Sequence, residues 1–373
     1  MPTYLWQHDA WTERLHWDAL TVLPALAETR RAQGHLLGRA AGLGVDLGVE
    51  LHADTMVIDA VTTSAVEGET LDPEGVRSSV ARHLGIPRAG RVQPSRDVDG
   101  LVQMLLDATG RAAEPLTAER LHGWHAGLFP TGYSGIHRIS VGAWRVGEAP
   151  MRVVSGGLGE QTVHFEAPPS ERVPDEMARF LTWWHGKAAV DDGLVRAAIA
   201  HLWFVTIHPY DDGNGRITRA LTDLALAQDE GTATRLYSMS AQIEADRAAY
   251  YRELEHAQHA DLRDVTAWVV WFLDALRKAI GVAEARVDQV LARARFWQEH
   301  GGVAMNDRQT KVVTRMLTAG PGGFEGGLSR RKYVAMTRTS PATAQRELAD
   351  LVQKGVLVAL PGGGRSTAYA LRW

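Results

Sequence analysis

One short stretch of the chain combines side chains suited to acid–base and phosphate chemistry. It reads HPYDDGNGRITR, from His208 to Arg219. The apolar run before it, 194–206, predicts a buried helix that ends at His208, because Pro209 disfavours helical dihedrals there. Imidazole titrates near neutrality, so His208 is a candidate general base. Gly213, Asn214 and Gly215 predict a turn whose backbone amides can approach an anion, because glycine lacks a Cβ, and the next helix N-terminus adds unpaired donors. The pattern predicts a phosphate site beside a base.

The charged residues of the same stretch indicate what the site could hold. Arg216 and Arg219 are three residues apart on one helix face, so both guanidinium groups can reach the same polyanion. Asp212 would repel phosphates unless Mg²⁺ lay between them, held by the carboxylate and by phosphate oxygens. A Gly-Asn-Gly turn or a histidine at a helix end is, by itself, most often structural. The combination indicates metal-assisted chemistry on a nucleotide phosphate.

This stretch resembles the motif of the Fic family, His-Pro-Phe-x-Asp/Glu-Gly-Asn-Gly-Arg-x-x-Arg, with Tyr210 in place of the usual Phe. The resemblance implies transfer of AMP from ATP to a Ser, Thr or Tyr hydroxyl of a target protein, with release of pyrophosphate. It also implies that His208 takes the proton of that hydroxyl and that Asp212 holds Mg²⁺. The residues implied to bind the nucleotide phosphates are Gly213, Asn214, Gly215, Arg216 (β-phosphate region) and Arg219 (γ-phosphate).

An upstream segment resembles the inhibitory motif Ser/Thr-x-x-x-Glu-Gly/Asn of the Fic class whose inhibitory helix precedes the core. Here it reads TSAVEG, from Thr63 to Gly68. The resemblance implies that Glu67 pairs with Arg219 and prevents productive seating of the ATP γ-phosphate. A carboxylate at a guanidinium occupies its donors and repels an incoming phosphate. The alternative is that Glu67 is a solvated or helix-capping acid.

Two further features fit this family. Residues 151–154 and 162–165 flank a glycine-rich turn and predict a β-hairpin, from Met151 to Phe165. Fic proteins carry there a flap that docks the target by strand addition, although a plain surface hairpin would look the same. The resemblance also implies that Tyr250 and Gln258 line the adenine pocket. They are eight residues apart and can share a helix face, but tyrosines on helices more often serve packing.

The last 46 residues, 328–373, form a basic segment. They contain eight Lys/Arg and two Asp/Glu, a local charge of +6 that leaves about −10 for the preceding chain. Helices over 328–336 and 341–354, followed by strands over 356–360 and 367–371, predict a winged helix. DNA and protein partners remain equally open. The basic residues that could neutralise DNA phosphates are Arg330, Arg331, Lys332, Arg338 and Arg365.

Composition limits the remaining possibilities. The chain of 373 residues has 45% hydrophobic residues, a net charge of −4 and no Cys, which excludes disulfides, thiolate metal sites and cysteine catalysis. Without a signal peptide pattern or a run of about 18 apolar residues, we expect a cytoplasmic protein with no membrane contact. The pairs His122/His125 and His256/His259 have metal-ligand spacing but no third ligand, so we expect surface histidines.

The sequence therefore predicts a mainly α protein, namely a Fic-type helical core with a small β-hairpin flap. We expect an N-terminal helical region carrying the inhibitory motif (1–95), the catalytic core (96–285), and a linker helix with the winged helix-turn-helix (286–373). The resemblance also allows a homodimer. Two other functions stay open: a DNA-binding regulator whose Fic core senses nucleotide, and removal of AMP by the same site.

Overall fold

The computed structural model describes residues 4–8, 10–13, 15–86, 92–155, 162–186, 192–259, 264–320, 324, 326–361 and 367–373. Within these residues the fold is mainly helical with small antiparallel sheets, which confirms the predicted fold class. The chain divides into two compact units, Met1–Ala283 and Glu284–Trp373. None of the described helices combines the length and apolar character that a membrane crossing requires.

Helices make up most of the first unit. They are α1 (Ala19–Ala40), α2 (Val45–Val66), α3 (Pro73–His83), α4 (Arg96–Gly110), α5 (Ala118–Leu128), α6 (Val173–His185), α7 (Gly193–Ile207), α8 (Asn214–Glu230), α9 (Met239–Ala245), α10 (Arg247–Gln258) and the first part of α11 (Thr266–His300). Short 3-10 helices cover Leu5–Gln7 and Ser170–Arg172. The strands are β1 (Tyr133–Ser134), β2 (His137–Arg138), β3 (Arg152–Ser155) and β4 (Thr162–Glu166).

The centre of this unit is the pair α7 and α8. Helix α7 is apolar around nearly its whole circumference, which is typical of a helix buried on all sides. Asp192 caps its N-terminus by accepting a hydrogen bond from the Leu194 backbone N–H at 2.8 Å. The helix ends at Ile207, as predicted from Pro209, because a residue before proline avoids helical dihedrals. The loop 208–213 then leads directly into α8.

The predicted β-hairpin is confirmed. Strand β3 pairs with β4 in antiparallel fashion, with Val153 opposite Phe165 and Ser155 opposite Thr162. An irregularity in the register lies between Val153 and Val154. The glycine-rich turn predicted between the strands lies almost entirely outside the described residues.

The second unit contains the end of α11 and a small mixed fold. Its elements are α12 (Asp307–Ala319), β5 (Leu328–Ser329), α13 (Arg330–Thr337), α14 (Pro341–Gln353), β6 (Leu357–Ala359) and β7 (Ala368–Leu371), with strand order β5-β7-β6. Residues 328 and 329 are a strand and not the start of a helix, because Ser329 is the extended N-cap of α13 and accepts from the Lys332 N–H. Two helices followed by a hairpin agree with the predicted element order; the winged-helix assignment stays a prediction.

Candidate active site

His208 is the residue where α7 ends. Its backbone is left-handed, with φ 52° and ψ 60°, which is uncommon for a residue other than glycine and frequent at functional sites. Its Nδ1 lies 3.3 Å from the carbonyl oxygen of Val205, which can only accept, so Nδ1 carries the proton of the neutral ring. Burial lowers the pKa of His208 to about 4. At neutral pH the imidazole is therefore uncharged, and its Nε2 has a free lone pair.

Asn214 and Gly213 shape the loop after His208. The Asn214 side chain accepts from the Tyr210 N–H at 2.9 Å and donates to the Tyr210 carbonyl at 2.8 Å, so it holds the loop closed at the start of α8. Gly213 has φ +78°, a conformation that favours glycine. A Cβ there would also lie 2.8 Å from the Phe129 ring. The predicted ligand Asn214 thus uses its side chain for loop structure.

Arg219 is bound by the end of α2. It is 1% exposed, and its guanidinium donates to the Thr63 hydroxyl at 2.7 Å, the Thr63 carbonyl at 2.8 Å and Glu67 Oε1 at 2.7 Å. A Cβ at Gly215 would lie only 2.0 Å from Glu67 Oε1. The Glu67 carboxylate therefore occupies the space directly above the glycine turn and forms an ion pair with Arg219.

Asp212 is the residue expected to hold Mg²⁺. One carboxylate oxygen accepts from the Ser134 hydroxyl, and the other accepts from the Gly213 N–H at 2.5 Å. The side chain is 42% exposed, so it can exchange these partners for a cation. Across the described ranges there is no cluster of three or more His, Cys, Asp or Glu suited to a metal ion. A single accessible carboxylate fits Mg²⁺ that takes its other ligands from phosphate oxygens and water.

A cavity of about 380 Å³ lies beside His208. It brings together residues from the loop, α2, the hairpin and α10. Its lining includes Glu67, Val153, Val154, His164, Phe165, His208, Gly215, Arg219, Tyr250, Tyr251 and Gln258. Four other predicted site residues are described by the structure but do not line this cavity, namely Asp212, Gly213, Asn214 and Arg216.

Tyr250 and Gln258 are both almost fully buried, with 2% and 4% exposure. The Tyr250 hydroxyl lies 3.1 Å from Nε2 of His201, and the Gln258 amide donates to the Thr206 hydroxyl at 3.3 Å. These polar contacts fix both side chains at the α10 wall of the cavity. The structure thus places the two residues on one face of α10, as their spacing predicts.

The expectation of surface histidines is wrong for His125 on α5, whereas its neighbour His122 is half-buried. His125 is fully buried and stacks on Tyr210 with ring centroids 4.2 Å apart. Its Nδ1 accepts from the Gly142 N–H at 3.1 Å, and its Nε2 donates to the Asp212 carbonyl at 3.2 Å. His122 Nδ1 lies 3.1 Å from the Tyr210 hydroxyl, the group that the usual Phe would lack. His125 follows the apolar Leu121 at the spacing of one helical turn, and this spacing is the sequence signal that could have indicated a buried His125.

Arg145 is a further site residue that the sequence analysis did not identify. It is 3% exposed, and its guanidinium donates to the carbonyl oxygens of His208, at 2.8 Å, and of Pro168. Its own N–H donates to the Pro209 carbonyl at 2.9 Å. Arg145 therefore holds the strained backbone around His208 in place. Nothing in the irregular sequence around it indicates this contact.

Comparisons of this chain with known proteins support the resemblance of its motif to the Fic family. A model of the Fic/DOC family matches residues 115–226, and a model described as a domain of unknown function, DUF4172, matches residues 4–86. The chain is 26% identical to protein adenylyltransferase fic-1 of Caenorhabditis elegans over 242 residues, which are 64% of this chain and 44% of that protein. It is 36% identical over 84 residues to a uridine 5'-monophosphate transferase of Xanthomonas campestris, covering 18% of this chain and 15% of that one. The chain thus spans less than half the length of these curated relatives.

Among solved structures, a Fic family protein from Desulfovibrio desulfuricans has a similar fold. The TM-score is 0.56 at 21% sequence identity, and the match covers 96% of this chain and 98% of that one. The family match includes the whole stretch from His208 to Arg219, and the similar fold extends over almost the whole chain. Residues 115–226 of this chain therefore match the Fic/DOC family, and the fold of the chain is similar to that of a Fic family protein.

Proposed function

We propose that this protein transfers AMP from ATP to a Ser, Thr or Tyr hydroxyl of a target protein and releases pyrophosphate. The observation that carries the proposal is that one cavity is lined by His208, whose imidazole is neutral, and also by Gly215 and Arg219. The names of the curated adenylyltransferase relatives support the same reaction class.

The proposed reaction begins at the free Nε2 of His208. This nitrogen accepts the proton of the target hydroxyl as the hydroxyl oxygen attacks the α-phosphorus of ATP. The bond between that phosphorus and the bridging oxygen breaks, and pyrophosphate leaves with its electron pair. Arg145 keeps His208 in position through its backbone carbonyl. Because a neutral base is required, the low pKa of His208 favours this role at physiological pH.

The positive groups of α8 stabilise the negative charge that develops on the leaving pyrophosphate. Arg216 and Arg219 lie in the first turns of α8, close to the helix N-terminus with its unpaired N–H groups. Asp212 would hold Mg²⁺, which neutralises phosphate charge and orients the phosphates. Positioning and charge neutralisation account for most of the catalysis in this type of reaction.

Glu67 is proposed to hold the site in an inhibited state. Its carboxylate binds Arg219 and lies where the glycine turn would receive a phosphate. An anion entering the turn would meet both an occupied guanidinium and a negative charge at close range. Removal of this carboxylate is therefore expected to increase both nucleotide binding and transfer.

The β3–β4 hairpin is the proposed docking site for the target. Within the described part of the chain these strands pair only with each other, so each keeps one edge for an added strand. Val153, Val154 and Phe165 line the cavity beside His208. A segment bound along this edge would bring its hydroxyl side chain close to the base.

Mass spectrometry of the purified chain tests the reaction and its nucleotide. The Glu67→Gly variant is incubated with Mg²⁺ and either ATP or UTP, and its self-modification is measured. We expect an AMP adduct with ATP. A UMP adduct alone would reject ATP as the substrate, and loss of AMP from a previously modified target would favour the reverse reaction.

DNA binding by the second unit is a second proposed function. Of the two acids of α14, Glu347 is buried and binds Arg308 and the Tyr333 hydroxyl, whereas Asp350 is partly exposed and pairs with Lys354. Gln345 and Arg346 near the start of α14 are exposed to solvent, and the charge of the partly exposed Asp350 is neutralised by Lys354. Of the predicted basic residues, Arg330, Arg331 and Arg338 are exposed, Lys332 is half-buried, and Arg365 lies outside the described residues.

Fluorescence anisotropy with a labelled DNA duplex tests this second function. Binding should weaken steeply as salt rises, because phosphate contacts release counterions. Arg346→Ala should reduce both affinity and salt dependence, whereas Lys354→Ala, which removes a cation paired with Asp350, is the matched control. No binding at low salt would reject DNA as the partner.

A further inference from the structure

The end of α2 makes a tight reversal at the inhibitory motif. Gly68 has φ +83°, the left-handed conformation that glycine adopts easily. Its N–H donates to the Ala65 carbonyl at 2.9 Å, and the Glu69 N–H donates to the Ser64 carbonyl at 3.0 Å. This pair of hydrogen bonds is a Schellman motif. The reversal brings two glutamates, one on each side of Gly68, to the start of α8.

Glu69 contacts the other arginine of the Fic motif. Its Oε2 accepts a hydrogen bond from Nη1 of Arg216 at 2.8 Å. The Arg216 side chain is only 8% exposed, lies over the Phe129 ring at 5.1 Å, and comes within 3.9 Å of Asp212. Its Nε is buried and lacks a hydrogen-bond partner within the described structure. Arg216 is thus a largely enclosed cation whose close carboxylate partner comes from the end of α2.

We propose that Glu69 is a second carboxylate that blocks the nucleotide site, by occupying Arg216 while Glu67 occupies Arg219. This inference rests on the proposed function, in which Arg216 binds the β-phosphate region of ATP. The inhibitory motif ends at Gly68, so it does not include Glu69. Both glutamates are carried by the same helix end, so movement of this end of α2 would release both arginines together.

Two effects make Glu69 a competitor of the nucleotide. Its carboxylate uses a guanidinium donor that a phosphate oxygen needs. Together with Glu67 and Asp212 it also forms a group of three acids around the entry for a polyphosphate. Removal of Glu67 alone would leave Arg216 occupied. The release of inhibition in Glu67→Gly is therefore incomplete.

Nucleotide affinity measured by isothermal titration calorimetry tests the role of Glu69. The full chain is compared as wild type, Glu67→Gly, Glu69→Gln and the double variant, with ATP, ADP and AMP in the presence of Mg²⁺. Glu69→Gln should tighten ADP and ATP binding by about fivefold, because a half-exposed ion pair contributes little free energy, and should leave AMP binding unchanged. Glu74→Gln, which changes an exposed glutamate at the start of α3, is the matched control.

Three results would overturn this inference. The first is that Glu69→Gln binds ADP with the same affinity as wild type, and the second is that it binds ADP more weakly. The third is that AMP binding tightens as much as ADP binding, which would indicate a general charge effect. If Glu67→Gly binds ATP tightly and transfers AMP while Glu69→Gln behaves as wild type, only the role of Glu69 is rejected. If no variant binds any nucleotide, the proposed function fails and this inference fails with it.

Discussion

Gly100 of α4 and Gly127 of α5 face each other where the two helices meet, and they allow a sharp test of the packing beneath the site. A Cβ at position 100 would lie 1.9 Å from the Gly127 carbonyl oxygen and 2.5 Å from its carbonyl carbon. A Cβ at position 127 would meet the Gly100 carbonyl oxygen at 3.4 Å, an ordinary contact. The same substitution therefore clashes with main chain at one position and fits at the other.

The expected stability changes follow from two opposing terms. Alanine is favoured over glycine in a helix interior by about 1 kcal/mol. Overpacking against atoms that cannot move costs about 1–3 kcal/mol, and more where main chain must shift. Because the clash is with main chain, we expect Gly100→Ala to lower the free energy of unfolding by about 2 kcal/mol or more net. Gly127→Ala should change it by less than about 1 kcal/mol, because it gains propensity with little strain.

Urea unfolding followed by circular dichroism measures both variants. Helix α5 carries His122 and His125, which contact Tyr210 and Asp212, so displacement of α5 by Gly100→Ala should also lower the transfer rate. Gly127→Ala is the matched control and should keep its rate. If Gly100→Ala is as stable as wild type, or if both variants lose the same amount of stability, the inferred close approach of α4 and α5 is wrong.

Three other predictions concern side chains of α7 and of the loop 208–213 that follows it. Tyr210→Phe should cost about 1 kcal/mol of stability, because it removes one neutral hydrogen bond to His122, and it should keep AMP transfer; loss of transfer would show that the hydroxyl is needed. The His208 imidazole should titrate near pH 4 in NMR spectra assigned with His208→Ala, and a midpoint near 6.5 would contradict its burial. Burial also lowers the pKa of His201 to about 3, so the folded protein holds this imidazole neutral where the unfolded chain would protonate it. The contribution of neutral His201 to the free energy of unfolding is therefore complete above the ordinary pKa of 6.5 and is lost as the pH falls through about 3. Urea midpoints measured against pH should therefore fall less steeply in His201→Gln than in wild type, and equal slopes would contradict this contribution.

Local sequence signals predicted the elements that carry the motif. Pro209 indicated the end of α7, the apolar run before it indicated a buried helix, and Gly213 indicated the turn into α8. Two short segments that flank a glycine-rich turn indicated the β3–β4 hairpin. These features depend on neighbours in sequence, and for this reason they could be predicted from one chain.

The contacts that hold the loop join residues far apart in sequence. Arg145 reaches His208 from an irregular segment without periodicity, and Glu69 reaches Arg216 from another helix end. Helix α12 was not predicted as a separate element, because the winged helix was inferred only from the basic segment 328–373. Strand β5 contains only two residues, too few for an alternating pattern. Pairings of this kind follow from tertiary structure and not from local propensity.

The transfer of label from ATP most directly tests the central claim. Wild type, Glu67→Gly, and Glu67→Gly combined with His208→Ala are incubated with ATP labelled on the α-phosphate, and a γ-labelled sample serves as control. We predict weak α-label on wild type, strong α-label on Glu67→Gly, none on the double variant, and no transfer of γ-label. Transfer of γ-label, α-label that persists without His208, or no transfer by a folded, ATP-binding Glu67→Gly variant to itself or to a lysate would contradict the account.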